Sequence, residues 1–305
     1  MAKELTGVFS ASASIISEQN ELDIKSTIKH AVQNDELGAQ PAFLGSTSQG
    51  QLISIEEKIK LITEISKHKF KKEVLIGTGC NSLKDTIKII KHSLDCNLNK
   101  FLIGNPAYYM SGTSNKNDEA GIFDFFSKIA KEAKEARIVL YSFDKLMHFK
   151  FSASLITKLK SEHSSSFIAL KDSSGNNWNK LKLPEFSMFV GNESKLVTGL
   201  KQKFVDGVIS ATANVQPFEI AQVYNDFKNN KLDENLNDKM IKVRQAFEGD
   251  GNNLTSAVHT FLAQRDRKYK RLLPPLSLLS REKEKELLSK LKELNFIPKT
   301  NSIAA

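Results

Sequence analysis

Residues 167–175 read FIALKDSSG, a short apolar run followed by a polar turn. Residues 167–170 have the length and composition of a buried strand, and residues 172–175 carry turn chemistry. Lys171 is therefore predicted where a strand becomes a loop. Beside an apolar core a lysine loses solvation as an ammonium, so its pKa falls and its neutral amine can form a Schiff base with a carbonyl carbon. The alternative is a structural lysine whose methylene stem covers the strand end while its ammonium stays in water.

The pattern of a short strand followed by a helix recurs on both sides of this stretch. Apolar runs predict eight strands, near residues 6–13, 42–44, 74–76, 101–104, 138–140, 167–170, 188–190 and 207–209. Ser54 with Glu57 predicts a capping box for the second helix. Eight alternations within about 230 residues favour an α/β fold with a single (β/α)8 TIM barrel over two doubly wound domains. We predict a barrel carrying the active site over residues 1–230, and a C-terminal helical region with three helices over residues 231–305.

The composition is that of a soluble globular protein. Of 305 residues, 40% are hydrophobic and 26% are charged, and the formal net charge is +9. This charge raises the possibility of nucleic-acid binding, but most lysine clusters are interleaved with acidic residues. The densest basic run, RDRKYKR at residues 265–271, is interrupted by Asp266 and is typical of a solvated face. We therefore expect no nucleic-acid partner.

Neither a metal site nor a membrane segment is predicted. Cys80 and Cys96 lack metal-ligand spacing, and the six histidines form no HxxxH or HxH pair. No stretch approaches the roughly 18 uninterrupted apolar residues of a membrane span, and the first residues lack a secretion-signal pattern. We therefore expect a cytoplasmic protein.

Polar residues follow several predicted strands, at the end where a (β/α)8 barrel carries its chemistry. Lys171 would supply an amine, Tyr141 a phenol that carries protons, and Ser46 and Thr47 hydroxyl and backbone N–H groups for a carboxylate. Singly, each residue is also typical of an ordinary strand end or turn. Their convergence at one end of the barrel predicts a site. The same loops contain Tyr108, Tyr109, Gly191 and Ser210.

Several of these stretches form motifs of a known family. They are GSTSQG (45–50), LIGTGCNS (75–82), NPAYY (105–109), IVLYS (138–142) and IALKDSSG (168–175), and GVISATANVQP (207–217) and LLPPLSLLS (272–280) extend them. With these motifs the chain resembles the pyruvate-dependent class I aldolase family that contains dihydrodipicolinate synthase and N-acetylneuraminate lyase. The resemblance covers nearly the whole chain. It implies a TIM-barrel lyase that forms a Schiff base, uses no metal or organic cofactor, and assembles as a homotetramer.

The resemblance also implies roles for individual residues. Lys171 would form the imine with pyruvate or another 2-oxo acid, and Tyr141 would relay protons. Ser46 and Thr47 would hold the carboxylate, with one hydroxyl in the proton relay. Tyr109, or Tyr108, would come from a neighbouring subunit. Further substrate-binding residues are predicted at the ends of strands seven and eight, namely Gly191, Glu193 and Ile209, although Glu193 could equally be a solvated loop charge.

Two loops depart from the family pattern. GSTSQG has Ser48 and Gln49 where the family has glycine and glutamate, so the pattern does not fix the backbone path of this loop. Residues 142–146 lack the arginine with which dihydrodipicolinate synthases bind the carboxylate of their second substrate, and Lys145 supplies charge without bidentate geometry. The sequence therefore favours a general aldolase or lyase acting on a 2-oxo acid and an aldehyde. The alternatives are dihydrodipicolinate synthase (4-hydroxy-tetrahydrodipicolinate synthase) and a catalytically inactive barrel that binds a small acid.

Overall fold

Eight parallel strands close into a barrel within residues 3–110 and 116–296, the part of the chain that the computed structural model describes. Each strand pairs with its neighbour in sequence, and the eighth pairs with the first, so the sheet has no free edge. The predicted TIM barrel is confirmed. The strands are β1 (Gly7–Ala11), β2 (Gln40–Phe43), β3 (Leu75–Gly77), β4 (Lys100–Gly104), β5 (Arg137–Ser142), β6 (Phe167–Asp172), β7 (Ser187–Val190) and β8 (Gly207–Ser210).

Helices surround the barrel and continue beyond it. Around the barrel lie α1 (Ile24–Glu36), α2 (Ile55–Ile65), α3 (Leu83–Asp95), α4 (Lys116–Glu132), α5 (Asp144–Met147), α6 (Ala153–Glu162), α7 (Leu196–Lys201) and α8 (Pro217–Lys228). The capping box of α2 is confirmed, because the Ser54 hydroxyl accepts from the Glu57 N–H and the Glu57 carboxylate accepts from the Ser54 N–H. No helix among the described residues is long and apolar enough to cross a membrane.

Apolar side chains pack on both faces of the barrel wall. Successive side chains of a strand point to opposite faces, so Val139 and Tyr141 face the barrel interior while Ile138 and Leu140 face the helices. By the same alternation Lys171 shares the inner face of β6 with Ala169. The interior cluster also contains Phe9, Leu75, Leu102, Phe189 and Ile209. Lys171 therefore lies above an apolar interior.

The C-terminal helices, α9 (Glu234–Glu248), α10 (Leu254–Ala263) and α11 (Arg281–Glu293), confirm the three helices predicted for the tail. They share a smaller core, and the segment between α10 and α11 is hydrogen-bonded to α1. The Tyr269 hydroxyl lies 2.9 Å from His30 Nδ1, and His30 Nε2 lies 2.8 Å from Asn214 Oδ1. Burial lowers the pKa of His30 to about 4, so its imidazole is neutral at pH 7. A domain boundary at residue 230 stays a prediction, and residues 297–305 lie outside the described part.

Two local features near Lys171 differ from the sequence-based expectation. β6 extends through Asp172, which the sequence places in the turn, because Tyr141 pairs with Lys171 and Ser142 with Asp172 in the strand ladder. The helix α5, directly after β5, is not predicted from the sequence. Its four residues are too few to show helical periodicity.

Candidate active site

Lys171 lies near the C-terminal end of β6, on the inner face of the barrel. It is 5% exposed, and its Nζ lies 4.3 Å from the centre of the Tyr141 ring. Burial, reinforced by the positive charge of Arg244, lowers the pKa of Lys171 from 10.5 to about 7. A substantial share of this lysine is therefore a neutral amine at pH 7, the form that attacks a carbonyl carbon.

Tyr141 lies on β5, beside Lys171 in the strand register, and is buried. Its hydroxyl is 2.9 Å from Ser46 Oγ and also forms a hydrogen bond with Ser173. Burial raises the pKa of Tyr141, and the two hydrogen bonds offset only part of that effect. The phenol therefore stays protonated at neutral pH and can exchange protons with both a group bound at Lys171 and the Ser46 hydroxyl.

Ser46 and Thr47 lie in the GSTSQG loop that follows β2. Ser46 is partly exposed and Thr47 is buried. The loop is tight, since the Gly50 N–H donates to the Gly45 carbonyl at 3.0 Å. A Cβ atom on Gly50 would overlap the Leu44 carbonyl, so this close backbone approach requires glycine. The turn thus presents Ser46 to Tyr141.

The two departures from the family motif each make specific contacts in this loop. The Ser48 hydroxyl donates to the Ser12 carbonyl, and Gln49 adopts a φ of +57°. The Gln49 amide N–H donates to the Ser14 carbonyl at 3.4 Å, while its Oε1 accepts from the Leu273 N–H at 2.6 Å. A glutamate could accept the second hydrogen bond but could not donate the first. Gln49 therefore connects this loop to the segment after β1 and to the C-terminal region.

A buried ion pair holds the loop that follows β7 against the end of β8. Glu193 is 0% exposed, and its Oε1 accepts from the hydroxyls of Ser210 and Thr212. Its Oε2 accepts from Arg244 Nη1 at 2.9 Å, and the same nitrogen lies 3.4 Å from the Gly191 carbonyl. Direct binding of substrate by Gly191 and Glu193 stays a prediction, and in this structure the Glu193 carboxylate is occupied by protein donors.

Ile209 and the tyrosines at positions 108 and 109 have different surroundings. Ile209 is fully buried in β8, where it pairs with Phe9 inside the barrel. Tyr109 and Tyr108 are 87% and 82% exposed, and their rings pack edge to face with centroids 5.1 Å apart. The structure thus brings the amine, the phenol and the Ser46 hydroxyl together, whereas Tyr109 lies on the surface of this chain.

Arg244 and Ser173, which contact Glu193 and Tyr141 respectively, are not predicted from the sequence. Arg244 lies on α9 among the buried positions Met240, Val243 and Phe247. This i, i+3, i+4, i+7 spacing is a signal that the arginine belongs to the buried face of the helix. Ser173 directly follows β6 and contacts Tyr141, but the sequence marks it only as a turn residue.

Among the described residues, no group of three or more His, Cys, Asp or Glu side chains could hold a metal ion. The expectation that the protein uses no metal or organic cofactor stays a prediction.

Known proteins with similar sequences are named as synthases and lyases. The chain is 25% identical to the 4-hydroxy-tetrahydrodipicolinate synthase of Ehrlichia canis over 305 residues, covering 96% of this chain and 99% of that protein. It is 28% identical over 190 residues to an uncharacterized DapA-like lyase of Chloroflexus aurantiacus, an alignment that spans 60% of this chain and 61% of that protein. Both relatives carry names from one family of synthases and lyases.

A solved structure with a similar fold and a family match complete the comparison. The crystal structure of YagE from E. coli K12, a prophage protein of the dihydrodipicolinic acid synthase family, superposes with a TM-score of 0.84 at 20% identity, covering 96% of this chain and 100% of that chain. The sequence profile of the Dihydrodipicolinate synthetase family matches residues 4–294. Because that match spans nearly the whole chain, the protein belongs to the dihydrodipicolinate synthetase family.

Proposed function

We propose that the protein is a Schiff-base aldolase, a carbon–carbon lyase that joins or cleaves an aldehyde and pyruvate or another 2-oxo acid. The observation that carries this proposal is the Lys171 amine, which is 5% exposed, has a pKa lowered to about 7, and lies 4.3 Å from the ring of a buried tyrosine. The relatives support the reaction class, since they are named as synthases and lyases and YagE was crystallised in complex with pyruvate.

The first step is formation of an imine. The lone pair of the neutral Lys171 amine attacks C2 of the 2-oxo acid, and the C2–O double bond becomes the C–O single bond of a carbinolamine. Tyr141 protonates that oxygen and takes a proton from the nitrogen, which gives the neutral carbinolamine. Tyr141 then protonates the hydroxyl, water leaves as the nitrogen lone pair forms the C=N bond of a cationic iminium, and Tyr141 regains its proton from Ser46. Ser46, 2.9 Å from the Tyr141 hydroxyl, is the next group along this path for protons.

The iminium then makes C3 reactive. It withdraws electrons from C3, so loss of a C3 proton gives a neutral enamine. In the synthetic direction the enamine C3 attacks the aldehyde carbon. In the cleavage direction the C4 hydroxyl loses its proton as the bond between C3 and C4 breaks, the aldehyde departs, and the enamine that remains is protonated at C3. Hydrolysis of the remaining imine releases the 2-oxo acid and restores Lys171. Ser46 and Thr47 bind the 2-oxo acid carboxylate with hydroxyl and backbone N–H groups.

Reductive trapping tests this proposal directly. The protein is incubated with pyruvate and cyanoborohydride, digested, and analysed by mass spectrometry for a reduced pyruvate adduct. We expect the adduct on Lys171, its loss in Lys171→Met, and its retention in Lys145→Met, which removes an exposed lysine of α5. A folded wild-type protein without an adduct on Lys171 would contradict the proposal and favour a barrel that binds small acids without catalysis.

Dihydrodipicolinate synthase activity is the second candidate, because the Ehrlichia relative that aligns over 96% of this chain carries that name. Against it, residues 142–146 contain no arginine, and Lys145 is exposed on α5. Incubation with pyruvate and aspartate semialdehyde decides between the two. Formation of the cyclic condensation product would support the synthase. If an imine forms but no product appears, the general aldolase remains.

The proposal extends to a cytoplasmic homotetramer in which Tyr109 enters a neighbouring active site. The exposed Tyr108–Tyr109 pair supports an interface, since large aromatic side chains are enriched in interfaces and depleted from free surfaces. Light scattering on wild-type protein and Tyr109→Ala tests it. A monomeric wild-type protein with full turnover would contradict this assembly.

A further inference from the structure

A buried lysine of α2 contacts a cysteine in the loop that follows β3. Lys58 lies on the buried face of α2 and is 2% exposed, and Cys80 is half-buried. Lys58 Nζ lies 3.6 Å from Cys80 Sγ and donates to the Gly79 carbonyl at 2.9 Å. Two nucleophilic groups, an amine and a thiol, are therefore in contact at a place that the proposed aldolase reaction does not use.

The Lys58 amine is buried without a carboxylate to neutralise it. Within residues 3–110 and 116–296, its two hydrogen-bond partners are the Gly79 carbonyl and the Cys80 sulfur. Burial lowers the pKa of Lys58, and the nearby Cys80 and Asp85 offset only part of this effect. An apolar side chain could fill this position without the cost of burying an amine. Packing alone therefore does not explain a lysine here.

The surroundings of the thiol make its reactivity depend on that amine. Cys80 Sγ donates to the Thr78 carbonyl at 3.0 Å. Burial raises the pKa of Cys80, and Lys58 offsets part of that rise, so the thiol needs a base before it can react as a thiolate. Lys58 Nζ is a base in contact with the sulfur. The second cysteine, Cys96, instead lies 3.8 Å from a histidine nitrogen, that of His92 Nε2.

We propose that Lys58 and Cys80 are a modification site, at which a peroxide oxidises the thiol and the amine then forms a covalent sulfur–nitrogen bond, a sulfenamide. The contact between Nζ and Sγ carries this inference. It is independent of the function proposed for Lys171, because neither Lys58 nor Cys80 takes part in the imine chemistry.

The first step oxidises the sulfur. Lys58 takes the thiol proton, and the thiolate attacks one oxygen of hydrogen peroxide as the O–O bond breaks. The sulfur becomes a sulfenic acid, and the departing hydroxide takes a proton from the Lys58 ammonium and leaves as water. The peroxide is thereby reduced, and a neutral amine lies beside the sulfenic acid.

The second step forms the crosslink. The nitrogen lone pair attacks the sulfur, the S–O bond breaks, and the hydroxide leaves as a second water with a proton from the nitrogen. One thiol, one amine and one peroxide thus give one S–N bond and two waters. The separation of 3.6 Å is close to that of a productive encounter, and only the flexible end of the lysine must move. Two equivalents of an external thiol restore both side chains and yield one disulfide.

The bond would fix a segment that lies between two loops of the candidate site. A Cβ atom on Gly79 would lie 2.5 Å from the Gly50 carbonyl oxygen, so the segment packs closely on the end of the GSTSQG loop. Asn81 Oδ1 accepts from the Ala107 N–H at 3.1 Å, in the loop that carries Tyr109. The crosslink therefore joins α2 to a segment in contact with both loops.

Mass spectrometry of peroxide-treated protein tests the proposal. The full chain is treated with hydrogen peroxide, digested without reducing agent, and compared before and after addition of dithiothreitol. We expect a linked pair of peptides, one with Lys58 and one with Cys80, whose mass is two hydrogens below the sum of the two peptides. Dithiothreitol should return both peptides to their original masses.

Three variants assign the bond to these two side chains. Lys58→Met keeps a flexible side chain of similar length but removes the amine, so the crosslink should be lost, and dimedone should label any oxidised Cys80 as its sulfenic acid. Cys80→Ser should also abolish the crosslink. The control Cys96→Ser removes the other cysteine and should leave the crosslink unchanged.

Several results would overturn the proposal. One is a folded wild-type protein in which Cys80 stays a thiol, or is oxidised to a sulfinic acid while Lys58 remains free. Another is a disulfide between Cys80 and Cys96 or between two copies of the chain. A linked pair that retains an oxygen atom would exclude the direct S–N bond. A modification that persists in Lys58→Met would assign the nitrogen to another group, such as a backbone amide.

Discussion

Raising the pH from 5 to 9 should increase the rate at which pyruvate is trapped on Lys171, with a midpoint near pH 7. Only the neutral amine attacks the carbonyl carbon, and burial lowers the pKa of Lys171 to about 7. At pH 7 about half of this lysine is then neutral, compared with about 1 in 3,000 at its ordinary value of 10.5. Burial therefore raises the concentration of the nucleophile on the order of 10³-fold.

The assay follows the initial rate of the reduced adduct at low pyruvate concentration across this pH range. Since reduction by cyanoborohydride itself depends on pH, trapping of pyruvate on free Nα-acetyl-lysine, whose ammonium has the ordinary pKa of about 10.4, serves as the reference at each pH. The ratio of the Lys171 rate to the reference rate should be constant below pH 7, where both neutral fractions rise tenfold per pH unit, and should fall above pH 7, where only the reference continues to rise. A ratio that stays constant up to pH 9 would refute the reasoning from burial.

Three further substitutions test individual contacts. Lys171→Met should raise the free energy of unfolding at pH 7 by about 2–4 kcal/mol. Between pH 7 and 10.5 the lysine is protonated in the unfolded chain but largely neutral in the folded protein, so it favours unfolding, and its removal stabilises the fold. Urea titrations should show this gain shrinking by pH 10, and a loss of stability at pH 7 would contradict it. Tyr141→Phe should lower kcat by about 10²- to 10⁴-fold while trapping with pyruvate still labels the lysine; unchanged turnover would remove the phenol from the proton path. Gly191→Ala places a Cβ against Ser173, so we expect the free energy of unfolding to fall by about 1–3 kcal/mol in urea titrations. The control Gly121→Ala has no atom near its Cβ and should not destabilise the protein. Equal effects of the two substitutions would count against the packing argument.

Local sequence signals were sufficient to predict the barrel and to place Lys171 and Tyr141 side by side. Each strand is a short apolar run with a turn at its end, so its position could be predicted without long-range information. In a parallel barrel all strand ends of one kind meet on one face, which explains why Lys171 and Tyr141 could be paired from the sequence alone. The proximity of these two side chains follows from the topology of the barrel, not from their separation along the chain.

Contacts that depend on the tertiary arrangement could not be predicted in the same way. Arg244 lies 73 residues after Lys171 in the sequence, on a helix outside the barrel, and an arginine on a charged helix usually faces water. The partner of Gln49 is the backbone N–H of Leu273, and a backbone group leaves no trace in the residue type. The extension of β6 to Asp172 likewise depends on pairing with Ser142 on the neighbouring strand, not on the composition of the turn.

The hydrogen bonds of Gln49 and Arg244 constrain how the sequences of the barrel and of the C-terminal region can diverge. The barrel loops after β2 and β7 are each bonded to a residue of the C-terminal region, Gln49 to Leu273 and Glu193 to Arg244. Recombination between relatives at the end of the barrel would separate the side chains of Glu193 and Arg244, whereas any residue but proline at position 273 supplies the N–H that Gln49 accepts. A change at position 244 must therefore be matched at position 193, so we expect these two positions to vary together among descendants of this chain. The helical region cannot diverge independently of the catalytic end of the barrel.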